Sequence, residues 1–239
     1  SRFLTDAKWD AAELNQARLQ FMLAQTVKQR RKAKDSVLPI DDTLCEHVGN
    51  LFEYVDLHYN HTDKTYPIAH NLVTAHYVSG AVRFPIDYRL YRRYEEFTDW
   101  ETFVKKHYPE AEIPKRKKER SRLRKQVERS LLQDDEFRAL HEAFVTKIAL
   151  AVELITYALD NGLPFATVLF DSWYLAPDLL ALLKQHNKNW ISILKTNRNV
   201  LTNSFTLKDA DGQPIQFERP KMQLREIVPL IPPSAFKPV

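Results

Sequence analysis

The stretch TVLFDSWYLAPDLLALLKQHNKNWISILKTNR, residues 167–198, decides the fold class. It begins with a short apolar run, Thr167–Phe170, which is typical of a buried strand in a parallel sheet. A helix is predicted next, from Ala176 to Gln185, with Pro177 tolerated in its first turn. A second apolar run, Trp190–Leu194, predicts another buried strand. Strand, helix and strand in this order favour a right-handed parallel unit.

The residues before this stretch predict a long helix and three further strands. Apolar residues repeat at helical spacing from Leu140 to Leu159, and Asn161–Pro164 ends that helix with a glycine followed by a proline. The earlier strands are predicted at Val37–Ile40, Asn71–Val78 and Ala81–Ile86. The last two form a hairpin, in which Pro85 indicates a bulge or an edge. Three consecutive strands followed by alternating helices and strands predict an RNase H-like α/β fold, a mixed sheet flanked by helices.

Composition limits the classes of protein to which the chain can belong. Of its 239 residues 44% are hydrophobic and 28% are charged, which suits a globular core and not a disordered chain. Cys45 is the only cysteine, so the chain can form no internal disulfide and no thiolate cluster, as in a reducing cytoplasm. We find no run of about 18 apolar residues and no secretory signal, and we therefore expect a cytoplasmic protein without a membrane span.

Charge is distributed unevenly along the chain, and this distribution is more informative than the net charge of +4. The first segment predicts a helix from Thr5 to Lys34 that ends in a basic cluster. The segment from Lys115 to Arg129 carries nine basic and two acidic residues. We therefore divide the chain into an N-terminal helical segment, residues 1–34; a core, residues 35–198, interrupted by a basic insertion at 91–134; and a β-like, proline-rich segment, residues 199–239.

Two acidic positions follow strands that the RNase H-like order places side by side. Asp42 comes after Val37–Ile40, and Asp171 comes after Thr167–Phe170. Ligand sites in open α/β sheets lie beyond strand ends, and two neighbouring carboxylates repel each other unless a cation relieves the repulsion. Hard oxygen ligands favour Mg²⁺ or Mn²⁺, and two such ions support phosphodiester cleavage. Each aspartate alone also fits a turn or a helix cap, and Asp41 competes with Asp42 because only one of the two faces the site.

Several motifs resemble those of bacterial insertion-sequence DDE transposases, over about residues 1–198. The two aspartate motifs are Ile40-Asp41-Asp42-Thr43 and Leu169-Phe170-Asp171-Ser172-Trp173-Tyr174. The supporting stretches are His70-Asn71-Leu72-Val73-Thr74, Arg83-Phe84-Pro85-Ile86 and Ser1-Arg2-Phe3-Leu4. The resemblance implies that Asp42 and Asp171 are the catalytic ligands of Mg²⁺ or Mn²⁺. It also implies a bacterial, nucleoid-associated recombinase that cuts and joins the double-stranded DNA of transposon ends, with two protomers paired on the DNA.

The third acid of that family lies in a helix with the signature Tyr-x2-Arg-x3-Glu-x6-Lys. No such signature follows Asn199, and Tyr174 is the last tyrosine of the chain. The resemblance therefore implies that residues 199–239 are the start of a β-rich insertion and that the chain ends before the catalytic glutamate. The first residue, Ser1, adds to the expectation of a partial product.

Basic residues provide the predicted DNA contacts, because lysine and arginine neutralise phosphates. In the basic insertion these residues are Lys115, Arg116, Lys117, Lys118, Arg120, Arg122, Arg124 and Lys125. Lys195 and Arg198 follow the last predicted strand and are expected near the acidic site. The alternative for the insertion is a solvated run of charge without a partner.

Two other functions fit the same sequence. A truncated transposase that lacks the third acid would bind DNA without cutting it. A different RNase H-like nuclease would use Glu153 or Asp178 as its third acid and would cut nucleic acid with this chain alone.

Overall fold

The computed structural model describes Lys8 and residues 10–49, 51–60, 62–209 and 211–233. In these ranges the α-helices are α1 (Ala11–Gln25), α2 (Tyr94–Phe97), α3 (Trp100–His107), α4 (Lys117–Leu131), α5 (Asp135–Ala143), α6 (Lys147–Asp160), α7 (Pro177–Gln185) and α8 (Leu224–Ile227). The strands are β1 (Val37–Glu46), β2 (Asp56–Leu57), β3 (Ile68–Ser79), β4 (Val82–Tyr91), β5 (Thr167–Phe170), β6 (Asn189–Ser192), β7 (Asn199–Leu201) and β8 (Lys221–Gln223). Short 3-10 turns lie at Ala33–Asp35, Thr202–Ser204 and Val228–Leu230.

The strands β1 to β6 form one mixed sheet with β1 near its centre. On one side β1 pairs antiparallel with β3 from Val37 to Glu46. On the other side it pairs parallel with β5, and this shorter ladder ends where Ile40 lies opposite Phe170. Strands β2 and β4 both pair antiparallel with β3, and β6 lies beyond β5. The predicted mixed α/β architecture, three antiparallel strands followed by a parallel one, is confirmed.

The main core is formed by apolar side chains of the sheet and of helices α1, α6 and α7. Its buried members include Leu19, Leu38, Ile40, Val73, Tyr77, Leu154, Ile155 and Leu179. Helix α6 packs against β3, β4 and α7, and α1 packs against β4. Each fully buried side chain of this size contributes about 1.5–3 kcal/mol relative to an exposed one. The hydroxyl of Tyr77 donates to Ser36 Oγ (3.3 Å), so this buried polar group is hydrogen-bonded.

Pro85 lies at a β-bulge, as the sequence predicts. The register between β3 and β4 shifts between Ala75 and His76, because Ala75 lies opposite Asp87 and His76 lies opposite Pro85. The extra residue on β4 is Ile86. A proline has no N–H for the ladder, so a bulge is one of the few places where a strand tolerates it.

The first helix is shorter than the predicted span from Thr5 to Lys34, whose start at Thr5–Ala7 and Trp9 lies outside the described residues. It ends at Gln25, because side chains beyond it bind the carbonyls of the last turn. The hydroxyl of Thr26 donates to the carbonyl of Met22 (2.6 Å), and Arg30 donates to the carbonyl of Leu23 (2.8 Å).

The prediction of one continuous helix from Leu140 to Leu159 is wrong. The helix is broken between Ala143 and Lys147 into α5 and α6. Thr146 caps α6, since its hydroxyl accepts a hydrogen bond from the backbone N–H of Ala149 (3.1 Å). The apolar repeat continues across the break, and for this reason periodicity alone predicts no interruption.

The strand predicted as buried at Trp190–Leu194 is also different. Strand β6 covers Asn189–Ser192, and the side chains of Trp190 and Ile191 are 40% and 42% exposed. In the described part of the chain β6 is the last strand on its side of the sheet. The ring of Trp190 stacks on that of Phe170, with centroids 5.9 Å apart, so one face of it remains covered.

Helices α3 to α5 enclose a second, smaller apolar cluster that the sequence did not predict. Its buried members are Trp100, Phe103, Val104, Leu131 and Phe137. The cluster gives the basic region a core of its own, so α4 is a packed helix with one solvent-facing side.

The chain divides into two compact units, and the smaller one comprises Asp171–Trp173 and Ser192–Val239. It contains the β7–β8 pair and the hairpin turn predicted at Asp211–Gly212, where Gly212 has a φ of +80°. The backbone N–H of Ile215 donates to the carbonyl of Leu207 (2.8 Å) across this turn. In neither unit do the described residues include a helix both long and apolar enough to cross a membrane.

Candidate functional site

Asp42 lies inside β1, beyond the end of the parallel ladder. The ladder between β1 and β5 ends at Ile40, whereas β1 continues to Glu46 against β3, with Asp42 opposite Val73. The sequence prediction that the strand ends before Asp42 is therefore wrong in extent. Asp42 nevertheless lies beyond the last residue of β1 that pairs with β5. Among the described residues, β1 pairs with β3 alone from Asp41 onward.

The side chains of Asp41 and Asp42 have different surroundings. Asp42 follows Leu38 and Ile40 on the core-facing side of β1 and is partly buried. Its Oδ1 accepts a hydrogen bond from the hydroxyl of Tyr174 (3.4 Å), which is fully buried. Asp41 is exposed, and its Oδ1 accepts a hydrogen bond from the backbone N–H of Asp42 (2.9 Å). Of the two residues, Asp42 is the one held by the core.

Lys147 is the main residue of this site that the sequence did not indicate. Its Nζ lies 2.6 Å from Oδ2 of Asp42, and the two side chains are only 15% and 32% exposed. The same ammonium group lies 5.0 Å from the ring centroid of Tyr91. The two partners of the ion pair are 105 positions apart in the chain, and no sequence signal connects them.

Asp171 is the first residue after β5 and is exposed. Its Oδ1 accepts a hydrogen bond from the backbone N–H of Trp173 (2.7 Å), which is an Asx-type turn. The turn-forming alternative considered from the sequence is thus present at Asp171. It does not exclude metal binding, because a carboxylate offers about four acceptor positions on its two oxygens.

Helix α4 divides the predicted DNA-binding residues into two groups. On its inner side Arg120 pairs with Glu101, and Arg124 pairs with Glu95 (3.6 Å) over the ring of Tyr94. These arginines hold the insertion together and are less available to a phosphate. Arg116 also has a neighbouring acid, Glu119, at 3.8 Å.

The outer side of α4 carries a row of exposed cations, here called the outer stripe, at Lys118, Arg122, Lys125 and Arg129. Steps of four, three and four residues place these side chains on one face of the helix. None of them forms an ion pair with the residues that the structure describes. Arg129 extends the set beyond the residues singled out from the sequence. Lys115 and Lys117 are exposed near the start of the same helix.

Lys195 and Arg198 lie in the smaller unit and are both exposed. The ammonium group of Lys195 lies 5.9 Å from the ring centroid of Trp173. The backbone carbonyl of Arg198 accepts a hydrogen bond from the N–H of Leu224 (2.8 Å), which fixes its main chain. Their proximity to the acidic residues stays a prediction.

Residues 1–221 match the family described as DDE superfamily endonuclease. The chain belongs to this family. Searches of curated proteins and of solved structures gave no significant match. DDE endonucleases act on DNA and generally depend on divalent metal ions. The predicted endonuclease class is thereby confirmed, whereas the insertion-sequence origin and the truncation stay predictions.

The donors of this DDE endonuclease suit a hard divalent cation, since Asp42 and Asp171 both offer carboxylate oxygens. In the described ranges no group of three or more histidine, cysteine or acidic side chains is placed to hold a metal ion. The two alternative third acids have other surroundings. Glu153 pairs with Arg89 (3.4 Å), and Asp178 is exposed in the first turn of α7, where a carboxylate suits the helix dipole.

A groove of about 1080 Å³ separates α4 from the region around β2. Among the residues that line it, Arg93 contacts the carboxylates of both Asp56 and Glu96. Burial, and then the hydrogen bond with Asp56, raise the pKa of Glu96 to about 7. The two acids therefore share one proton and one arginine near neutral pH.

Replacing Glu96 with glutamine should make the protein relatively more stable at high pH. The folded-state pKa of Glu96, about 7, lies above its ordinary value of 4.5. Between these values the unfolded chain loses a proton that the folded chain keeps, so the free energy of unfolding of the wild type falls as pH rises through this window. The free energy of unfolding of Glu96→Gln does not fall in this way. Measured by urea unfolding, the stability of Glu96→Gln relative to the wild type should increase by about 1–3 kcal/mol between pH 4.5 and pH 8. The same relative stability at both pH values would contradict the shared proton.

Proposed function

We propose that this DDE endonuclease is a transposase with an RNase H-like core that cuts and rejoins transposon-end DNA. The observation that carries the proposal is the register of the two central strands. Ile40 of β1 lies opposite Phe170 of β5 at the end of the parallel ladder. Asp42 comes two residues after Ile40, and Asp171 comes directly after Phe170. The sheet order β4-β3-β1-β5-β6 is the order expected for an RNase H-like fold and supports the same assignment.

In this proposal Asp42 and Asp171 hold Mg²⁺ or Mn²⁺. When bound, such ions activate a water or a 3′ hydroxyl for attack on a phosphodiester and stabilise the leaving 3′ oxygen. The protein keeps the Asp42 carboxylate in one orientation, because Oδ1 is bonded to the buried Tyr174 and the aspartate sits in a ladder with β3.

The DNA surface that we propose is the outer stripe. Its four cations span about 16 Å of one helix face, given a rise of 1.5 Å per residue. They are exposed and lack ion-pair partners within the described part of the chain, so they can neutralise backbone phosphates without first breaking an internal contact. Lys115, Lys117, Lys195 and Arg198 are proposed as further contacts. The resemblance extends the proposal to a pair of protomers on DNA, in a bacterial cytoplasm and associated with the nucleoid.

A second candidate is a DNA-binding protein without nuclease activity. The observation that favours it is the ion pair between Lys147 and Asp42, which already neutralises one proposed ligand. DNA binding through the outer stripe would need no metal. Duplex binding without cleavage in Mg²⁺ or Mn²⁺ would support this candidate.

Mn²⁺ binding tests the metal assignment directly. We expect calorimetry to detect binding to the wild type, and Asp42→Asn and Asp171→Asn each to weaken it at least about tenfold, since each removes a charge and a hard ligand. Asp160→Asn is the matched control, because Asp160 is an exposed aspartate at the end of α6, and it should bind as the wild type does. Equal binding by all four proteins would show that Asp42 and Asp171 are not ligands.

Neutralising the outer stripe should selectively weaken duplex DNA binding. Glutamine at Lys118, Arg122, Lys125 and Arg129 preserves helix propensity and removes four charges. The slope of log affinity against log salt should become shallower by about 3–4, since each phosphate contact contributes about 0.9.

A control variant removes the same total charge elsewhere. It carries glutamine at four exposed lysines outside the proposed surface, Lys64, Lys184, Lys208 and Lys221. We expect its salt slope to stay close to that of the wild type. If the control and the stripe variant lose affinity equally, net charge and not the outer stripe governs binding.

A further inference from the structure

The ion pair between Lys147 and Asp42 is the closest charge contact at the proposed metal ligand. Nζ of Lys147 lies 2.6 Å from Oδ2 of Asp42, while Tyr174 donates to the other oxygen. The lysine side chain is only 15% exposed, so solvent screens this attraction less than it screens a surface pair. One oxygen of the carboxylate is thus occupied by a protein cation.

The position of Lys147 in its helix is unfavourable unless it serves this contact. It is the first residue of α6, directly after the cap Thr146, and the first turn of α6 contains no acidic residue. The amino end of a helix carries partial positive charge, so a lysine there is repelled by the helix dipole. Asp42, and the ring of Tyr91 at 5.0 Å, supply the compensating attraction.

The helix break that the sequence did not predict is what places Lys147 at this point. Helix α5 ends at Ala143 and α6 begins at Lys147, with Thr146 bonded to the N–H of Ala149. Helix α6 then packs against β3, which pairs with β1, and against β4, which pairs with β3. The start of α6 is therefore fixed by packing, and the ammonium group is held at the carboxylate by a rigid element.

We propose that Lys147 is a resident counterion that competes with a divalent metal ion for Asp42. A metal ion can bind Oδ2 of Asp42 only when the ammonium group leaves that oxygen. The displaced lysine stays tethered at the start of α6, where it is a cation free to contact a phosphate of the bound DNA. Lys147 is thus a positioning residue that weakens metal binding at the proposed site as long as it is paired with Asp42.

This inference rests on the proposed metal-binding function of Asp42, and the test separates the two. Mn²⁺ affinity is measured by calorimetry for the wild type, Lys147→Gln, Lys147→Arg and Lys184→Gln. The last variant is the control, since Lys184 is an exposed lysine on α7. We expect Lys147→Gln to bind Mn²⁺ at least about tenfold more tightly, because a positive charge next to the ligand is gone. Lys147→Arg, which keeps the charge, and Lys184→Gln should bind within about twofold of the wild type.

Thermal unfolding in EDTA tests the ion pair without any metal. Lys147→Gln and Asp42→Asn should each lower the melting temperature, and the double variant should lower it by less than the sum of the two. Additive losses would overturn the counterion role.

The metal titration has two contrary outcomes. Equal or weaker Mn²⁺ binding by Lys147→Gln, with the wild type still binding, would overturn the competition while leaving the metal site intact. Absence of binding in both the wild type and Lys147→Gln would overturn the metal site itself.

Discussion

The double pairing of β1 is the constraint on which the site depends. Up to Ile40 the strand is bonded to β3 on one side and to β5 on the other, and from Asp41 it continues with β3 alone. Because side chains alternate, Leu38, Ile40 and Asp42 share one face. The first two are buried in the main core, and the third carries a carboxylate to its margin. The sheet thereby fixes a charged group at the border between an apolar interior and solvent.

A carboxylate at such a border needs a compensating charge, and the fold supplies one before any metal is considered. Desolvation disfavours the ionised form of a partly buried acid, whereas an opposite charge nearby favours it. Lys147 provides that charge to Asp42 at the cost of an unfavourable place in α6. The same balance of charge occurs in the groove beside α4, where Arg93 pairs with two acids, Asp56 and Glu96. In both places the chain balances charge internally, whereas the cations of the outer stripe form no ion pair with the residues that the structure describes.

Sequence reasoning predicted the parts of the fold that local patterns determine. Strand β5 has the predicted bounds, because a glycine–proline stop precedes it and an aspartate follows it; the β3–β4 hairpin and the bulge at Pro85 follow equally from turn and proline chemistry. The sequence did not predict the helix break at Thr146, because the apolar repeat continues through it. It did not predict the exposure of Trp190, because an apolar run does not indicate which residues cover it. The contact of Lys147 with Asp42 depends on tertiary packing and has no local sequence signal. The same is true of the ion pairs that Arg120 and Arg124 form with acidic residues.

The most direct test of the central claim is a map of the chain around a bound metal ion. Fe²⁺ substituted for Mg²⁺, with ascorbate and peroxide, generates hydroxyl radicals that cut the backbone close to the ion. The account predicts two clusters of cuts, one around Asp42 and one around Asp171, and both should disappear when Mg²⁺ is added in excess. Cuts near only one of the two aspartates, or cuts that excess Mg²⁺ does not suppress, would contradict a metal site shared between them.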